Sequence, residues 1–109
     1  MNTSYFAKIN NNLNNVSIAG KAPDWYKGRE YKKLAPKYWF FKKYKEDNDE
    51  QFYINEYYKI LNQLDPSKVF EELGENSVLL CYEKPGEFCH RHLVAKWLMD
   101  NLNIKILEI

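Results

Sequence analysis

The stretch that decides the fold is Ser77-Val-Leu-Leu-Cys-Tyr82, followed by the turn Glu83-Lys-Pro-Gly86, by His90-Arg-His-Leu-Val-Ala-Lys-Trp-Leu98, and by Ile104-Lys-Ile-Leu-Glu-Ile109. Ser77 to Tyr82 is a short unbroken apolar run between turn signals, the pattern of a strand buried on both faces, as in a parallel sheet. Glu83 to Gly86 ends it. Beyond the turn, His90, Leu93, Val94, Trp97 and Leu98 share a helical stripe on a helix running to Leu102, and Ile104 to Ile109 alternates as a final strand. Strand, loop, helix and strand make a βαβ unit, whose right-handed crossover predicts parallel strands and an α/β architecture.

Working outward, Asp65-Pro66 reads as the cap and first residue of another helix, with Val69, Phe70 and Leu73 facing inward and Gly74 closing it. Before it, Ile54, Tyr57, Tyr58, Leu61 and Leu64 recur at spacings of three and four, one face of a helix within Asp49 to Leu64. Tyr38 to Tyr44 is aromatic and basic without a clear period and fits strand or helix. The breaks at Gly20 to Pro23 and at Leu34 to Lys37 predict a loop carrying Lys21 through Lys37. Ser4 to Ile9 and Val16 to Ala19 read as two short strands joined by a polar turn across the asparagine-rich Asn10 to Asn15.

The chain of 109 residues has room for one compact domain and one hydrophobic core. No run approaches the roughly 18 apolar residues of a membrane helix, and no secretory signal is visible at Met1 to Lys8. The cytoplasm is therefore the expected location, without a membrane partner. Cys81 and Cys89 are the only cysteines, and a core can form without them, which argues against a disulfide framework. Bridging from inside a strand to a point past its end would demand a tight return. Charge is unevenly spread: Lys21 to Lys45 holds nine basic residues against Asp24 and Glu30, whereas Glu46 to Ile109 holds six basic against thirteen acidic. Such a basic segment attracts phosphates or nucleic acid, or it faces an acidic segment of its own fold. The eighteen aromatic residues serve either as core filler or as stacking surfaces.

In open α/β sheets ligands sit at the carboxyl ends of strands, where loops feed into helix N-termini. Glu83 to Arg91 is such a loop. A helix start offers unpaired N–H groups and a positive dipole end, which favour anions and lower the pKa of a nearby thiol. Arg91 can grip a phosphate or carboxylate with two parallel bonds, His90 can move a proton, and Cys89 can act as a thiolate nucleophile. Glu83 can orient His90 or bind a ribose hydroxyl. Each also has a plain structural reading: a small buried cysteine, a hydrogen-bonded core histidine. Arg91 stands out as one of two arginines against fourteen lysines, because lysine cannot supply planar bidentate contacts. Cys81, Cys89, His90 and His92 are close in sequence, but zinc sites usually pair ligands about two to four residues apart in two separate knuckles. With one cluster only, no metal is expected. No glycine-rich phosphate loop, nucleophile elbow or H-E-x-x-H pattern occurs.

The segment Ser77 to Leu98 resembles the signature of the domain of unknown function 488 family, an LLC-x-E-K strand followed by C-H-R at a helix start. Val16 to Gly20, Trp25-Tyr26 and Tyr31 to Pro36 also fit, so the resemblance covers nearly the whole chain. It implies a small α/β domain in which Glu83, Cys89, His90 and Arg91 line a pocket, with Gly20, Trp25 and Tyr26 across from them. A shorter, lysine-rich middle section is the one departure, leaving little room for an added catalytic domain.

The expected fold is thus a single α/β domain over residues 1–109, a mostly parallel short sheet flanked by helices in a Rossmann-like three-layer arrangement. The leading functional expectation is a pocket for a nucleotide-like or other phosphorylated small molecule, which the protein sequesters, hydrolyses or transfers. Arg91 and the helix start would hold the anion, with Glu83, His92, Gly20, Lys21 and Lys37 around it and Trp25 or Tyr26 stacking on a ring. A second is a transferase or hydrolase with Cys89 as nucleophile and His90 as acid and base, although adjacent side chains on a helix point about 100° apart. A third is a nucleic-acid-associated module using Lys21 to Lys45. No resident cofactor is expected. Among the candidates Arg91 ranks first and Cys89 second.

Overall fold

The computed structural model describes all 109 residues. In chain order the strands are β1 (Asn2–Tyr5), β2 (Asn14–Ser17), β3 (Arg29–Glu30), β4 (Ser77–Cys81) and β5 (Leu107–Glu108), and the helices α1 (Tyr38–Asp47), α2 (Glu50–Leu61), α3 (Pro66–Leu73) and α4 (His90–Leu102). The sheet order is β3-β2-β4-β1-β5 and every pairing is parallel. β4 is central and buried at all five positions, as its unbroken apolar run predicts.

The two N-terminal strands do not form a hairpin. Each pairs with β4 instead, Thr3 opposite Leu79 on one side and Val16 opposite Leu79 on the other. The chain shortens β1 at Tyr5 and turns through a 3-10 segment at Phe6–Lys8, whose Phe6 is buried. β5 pairs with β1 rather than β4, so the terminal βαβ unit spans one inserted strand. The aromatic, basic segment of uncertain period is a helix: Phe40 is buried, and Phe41 and Tyr44 pack against the same core. Asn48, at φ 55°, closes it with its N–H on the Tyr44 carbonyl. In α3, Asp65 caps the Ser67 amide at 2.9 Å, Pro66 occupies the first turn, and Gly74 follows at φ 94°.

Side chains alternate across β4 and divide the core into two clusters. Leu79, with Val16 and Ile18, packs against all four helices through Phe40, Tyr53, Tyr57, Leu61, Val69, Leu73, Val94 and Leu98. Val78 and Leu80 face the other way into a small cluster with Phe6 and Ala19, covered by Ile9, Ala22 and Tyr26. The layers flanking the sheet are therefore unequal: four helices on one face, a 3-10 turn and loop residues on the other. No helix is long and apolar enough to cross a membrane.

Candidate functional site

At the carboxyl edge of β2 and β4 lies a cavity of about 510 Å³. Ala19, Gly20 and Lys21 come from the end of β2, Cys81, Tyr82 and Glu83 from the end of β4, and Cys89 and His90 from the start of α4. Tyr38, Phe41 and Tyr44 of α1, Tyr53 of α2 and Phe88 complete aromatic walls. Tyr53 packs edge-on against Phe88 and Tyr44, with centroids 5.1 and 5.5 Å away. Burial, then the charge of Glu83, pushes the Tyr53 phenol well above its ordinary pKa. The wall hydroxyl stays neutral.

Cys89 is the residue before the first turn of α4, with extended backbone at φ −153° and ψ 145°. The rule of about 100° between neighbours applies only inside a helix, so Cys89 and His90 can face each other. Their Sγ and Nδ1 atoms lie 3.8 Å apart. The second ring nitrogen, Nε2, is 2.7 Å from the Ile18 carbonyl. Because a carbonyl only accepts, Nε2 carries the proton and Nδ1 offers a lone pair towards the sulfur. Burial, opposed by this hydrogen bond and aided by the Arg91 charge, lowers the His90 pKa to about 4. The imidazole is neutral at physiological pH.

The two cysteines are joined as a disulfide, against the expectation from composition. The tight return comes from Lys84 to Glu87: the Glu87 amide donates to the Lys84 carbonyl at 3.1 Å, and Gly86 sits at φ 88°. Proline second and glycine third is the residue choice of a type II turn. It folds Cys89 back over the end of β4. Once reduced, the same atoms would make a candidate ligand set, since Cys81, Cys89 and His90 present donors all within 4.8 Å of one another. Their sulfur and imidazole chemistry suits a zinc-like ion, with the cavity at the open side. His92 is not part of this cluster.

Arg91 turns away from the cavity. It is fully buried, with Nε and Nη2 donating to the Glu108 carboxylate at 3.1 and 2.9 Å and Nη1 donating to Cys81 Sγ at 3.0 Å. Burial pushes the Glu108 carboxyl up, but hydrogen bonds from Arg91 and Thr3 and the arginine charge outweigh it and hold the group below the usual range. Its bidentate capacity is used, on a carboxylate of its own chain. His92 is half-buried, and burial followed by the Arg91 charge lowers its pKa. Trp25 and Tyr26 pack on Phe6 and line a separate depression with Asn14, Asn15 and Arg29. Lys37 is exposed ahead of α1.

Of the residues singled out from sequence, Gly20, Lys21, Glu83, Cys89 and His90 therefore meet at the cavity, whereas Arg91, His92, Trp25, Tyr26 and Lys37 do not line it. Sequence reasoning missed Phe88 and the wall residues Tyr38, Phe41, Tyr44 and Tyr53. The usable signal was the three-residue spacing of the first three, which puts them on one helical face. In the basic segment, Lys33 pairs with Glu72 and Lys45 approaches Glu83 at 3.5 Å, so part of its charge faces the acidic half of the same chain.

No curated protein and no solved structure gives a significant match to the chain. Residues 9–102 match the family model described as the active DUF488-N3 subclade. That span contains every element that lines the cavity, including the ends of β2 and β4, both cysteines and the start of α4, as well as the turn at Gly86. The chain belongs to the DUF488 family, in its DUF488-N3a subclade.

Proposed function

We propose that the protein binds a small molecule carrying a flat, nucleoside-like ring, held between the aromatic walls with one edge over Cys89 and His90. The observation that carries this reading is the cavity itself: about 510 Å³, walled by aromatic side chains, at the carboxyl edge of a parallel sheet. Small-molecule sites are typically about 300–1,000 Å³, mostly apolar, with a few convergent polar groups. Here Lys21, Glu83 and His90 supply that polarity. Arg91 has no direct part, because it is held by Glu108. Any phosphate on the ligand would meet Lys21 at the rim, so the phosphate is secondary to the ring.

Thermal unfolding against a panel of nucleobases, nucleosides and nucleotides tests this. A true ligand at about 100 times its Kd adds about 2.7 kcal/mol to stability. The expected result is stabilisation by at least one ring compound, largely lost in Phe88→Ala. Lys21→Ala should erase only the extra stabilisation that a phosphate brings. Stabilisation by none of the ring compounds, or equal stabilisation of wild type and Phe88→Ala, overturns the proposal.

A second reading, chemistry at Cys89 with His90 beside it, is favoured by one contact, the 3.8 Å approach of Sγ to Nδ1 on the cavity floor. It requires the sulfur to be released from Cys81.

A further inference from the structure

We propose that Cys81 and Cys89 are a redox-active dithiol–disulfide couple that exchanges with low-molecular-weight thiols entering through the cavity, with Cys89 the sulfur attacked and Cys81 the sulfur released. The proposal does not depend on the ring ligand.

Two features set this pair apart from a structural staple. Both cysteines are buried, Cys81 at 1% and Cys89 at 3% exposed, but they lie outside the large core cluster and line the cavity, which is their path to small thiols. Each sulfur also has a neighbour that favours its reduced, charged form. Arg91 Nη1 donates to Cys81 Sγ at 3.0 Å from a fully buried guanidinium. Cys89 sits at the N-terminus of a helix of thirteen residues, where the helix dipole and free amides stabilise a thiolate. Stabilising the dithiolate makes a disulfide easier to reduce.

The asymmetry assigns the roles. In thiol–disulfide exchange the sulfur with the better-stabilised thiolate leaves faster. The guanidinium bonds Cys81 directly, and Cys81 is fixed as the last residue of β4, paired with Tyr5 of β1. An incoming thiolate therefore forms its bond to Cys89 Sγ while the Cys89–Cys81 bond breaks, and the electron pair leaves on Cys81. A second thiolate attacks the outer sulfur of the mixed disulfide. The small disulfide departs and Cys89 is released as a thiolate. Its thiol form can donate to His90 Nδ1, 3.8 Å away. Overall two thiols become one disulfide, two electrons reduce the protein pair, and the two protons stay with the cysteines or pass to water. With oxidised glutathione the sequence runs in reverse.

The test uses the full chain, reduced, desalted and exposed to oxidised glutathione, with free thiols alkylated and the products weighed and mapped by mass spectrometry. Wild type should pass from two free thiols to the internal disulfide and return on addition of reduced glutathione. Cys81→Ser should hold one glutathione on Cys89, and Cys89→Ser should react at least tenfold more slowly, each variant checked for native circular dichroism. Acid quenching of wild type during the reaction provides a readout without substitution, and the trapped mixed disulfide should map to Cys89. Two thiols that stay free in excess oxidised glutathione would overturn the proposal. So would a mixed disulfide mapping to Cys81, or a stoichiometric divalent ion in the reduced protein that blocks alkylation of both cysteines.

Discussion

His90 is 6% exposed, with one nitrogen bonded to the Ile18 carbonyl and the other turned to a sulfur. Protonating it would place a charge in the core beside Arg91, which is why its pKa falls to about 4 from an ordinary value of about 6.5. In the window between these values the unfolded chain binds the extra proton and the folded chain refuses it, so stability is present above pH 6.5 and is lost as pH falls towards 4. The loss between pH 7 and pH 5 should be about 2 kcal/mol, read from urea unfolding at the two pH values. His90→Gln should remove most of that difference, leaving the smaller share of His92, which shifts in the same direction. An unchanged pH dependence in His90→Gln would remove this account. The position of Cys89 and His90 beside the cavity was legible in the sequence, because a helix start after a buried strand is a recognisable place. The occupation of Arg91 was not. Its partner Glu108 lies seventeen positions away in a strand of two residues, and alternation alone gives such a segment no register.

At the scale of elements, periodicity located β4, α2, α3 and α4, because each buries one clean face or is buried throughout. It could not decide α1, where Tyr38, Trp39, Phe40 and Phe41 are consecutive aromatics and only Phe40 is buried. Nor could it place β3, whose two residues are both exposed charges. The turn Lys84 to Glu87 was legible from Pro85-Gly86, but its consequence, a sulfur brought back to the strand it had just left, needed the three-dimensional path. Gly86 at φ 88° has open space around its absent Cβ, so a side chain there meets backbone strain and no clash. Gly86→Ala should therefore cost about 1–2 kcal/mol, and Gly86→Asn less, because asparagine tolerates the left-handed region. Equilibrium denaturation measures both. Equal losses for the two variants would mean that the turn relaxes to another conformation.

Across the whole molecule, the parallel direction of the sheet followed from the βαβ pattern, but the order of its strands did not. The N-terminal strands are adjacent in sequence and joined by an asparagine-rich turn, yet they do not pair with each other. They are divided instead by β4, since only a strand apolar on both faces can occupy the centre while two half-polar strands flank it. Part of the basic Lys21 to Lys45 segment likewise finds its partners only once the second half is folded beside it, where Lys33 meets Glu72 and Arg29 reaches the carbonyls at the end of α3.

The central place of β4 has a consequence for the newborn chain. Thr3 and Val16 both wait for Leu79; β2 meets only the two-residue β3 early, and β1 has no neighbour and β2 no inner one until some sixty to seventy-five further residues have been translated, roughly 3–15 s at about 5–20 residues per second. Pairings this distant in sequence slow folding and leave strand edges bare. On the ribosome the first third of the chain should stay protease-sensitive until Cys81 clears the exit tunnel, and then become resistant together with β4, ahead of β5 at Leu107–Glu108. Arrested chains of increasing length would reveal that step, and early resistance of the first thirty residues would refute it. The strand that ends at Cys81 is thus also the one whose arrival joins β1 to β2 and β3.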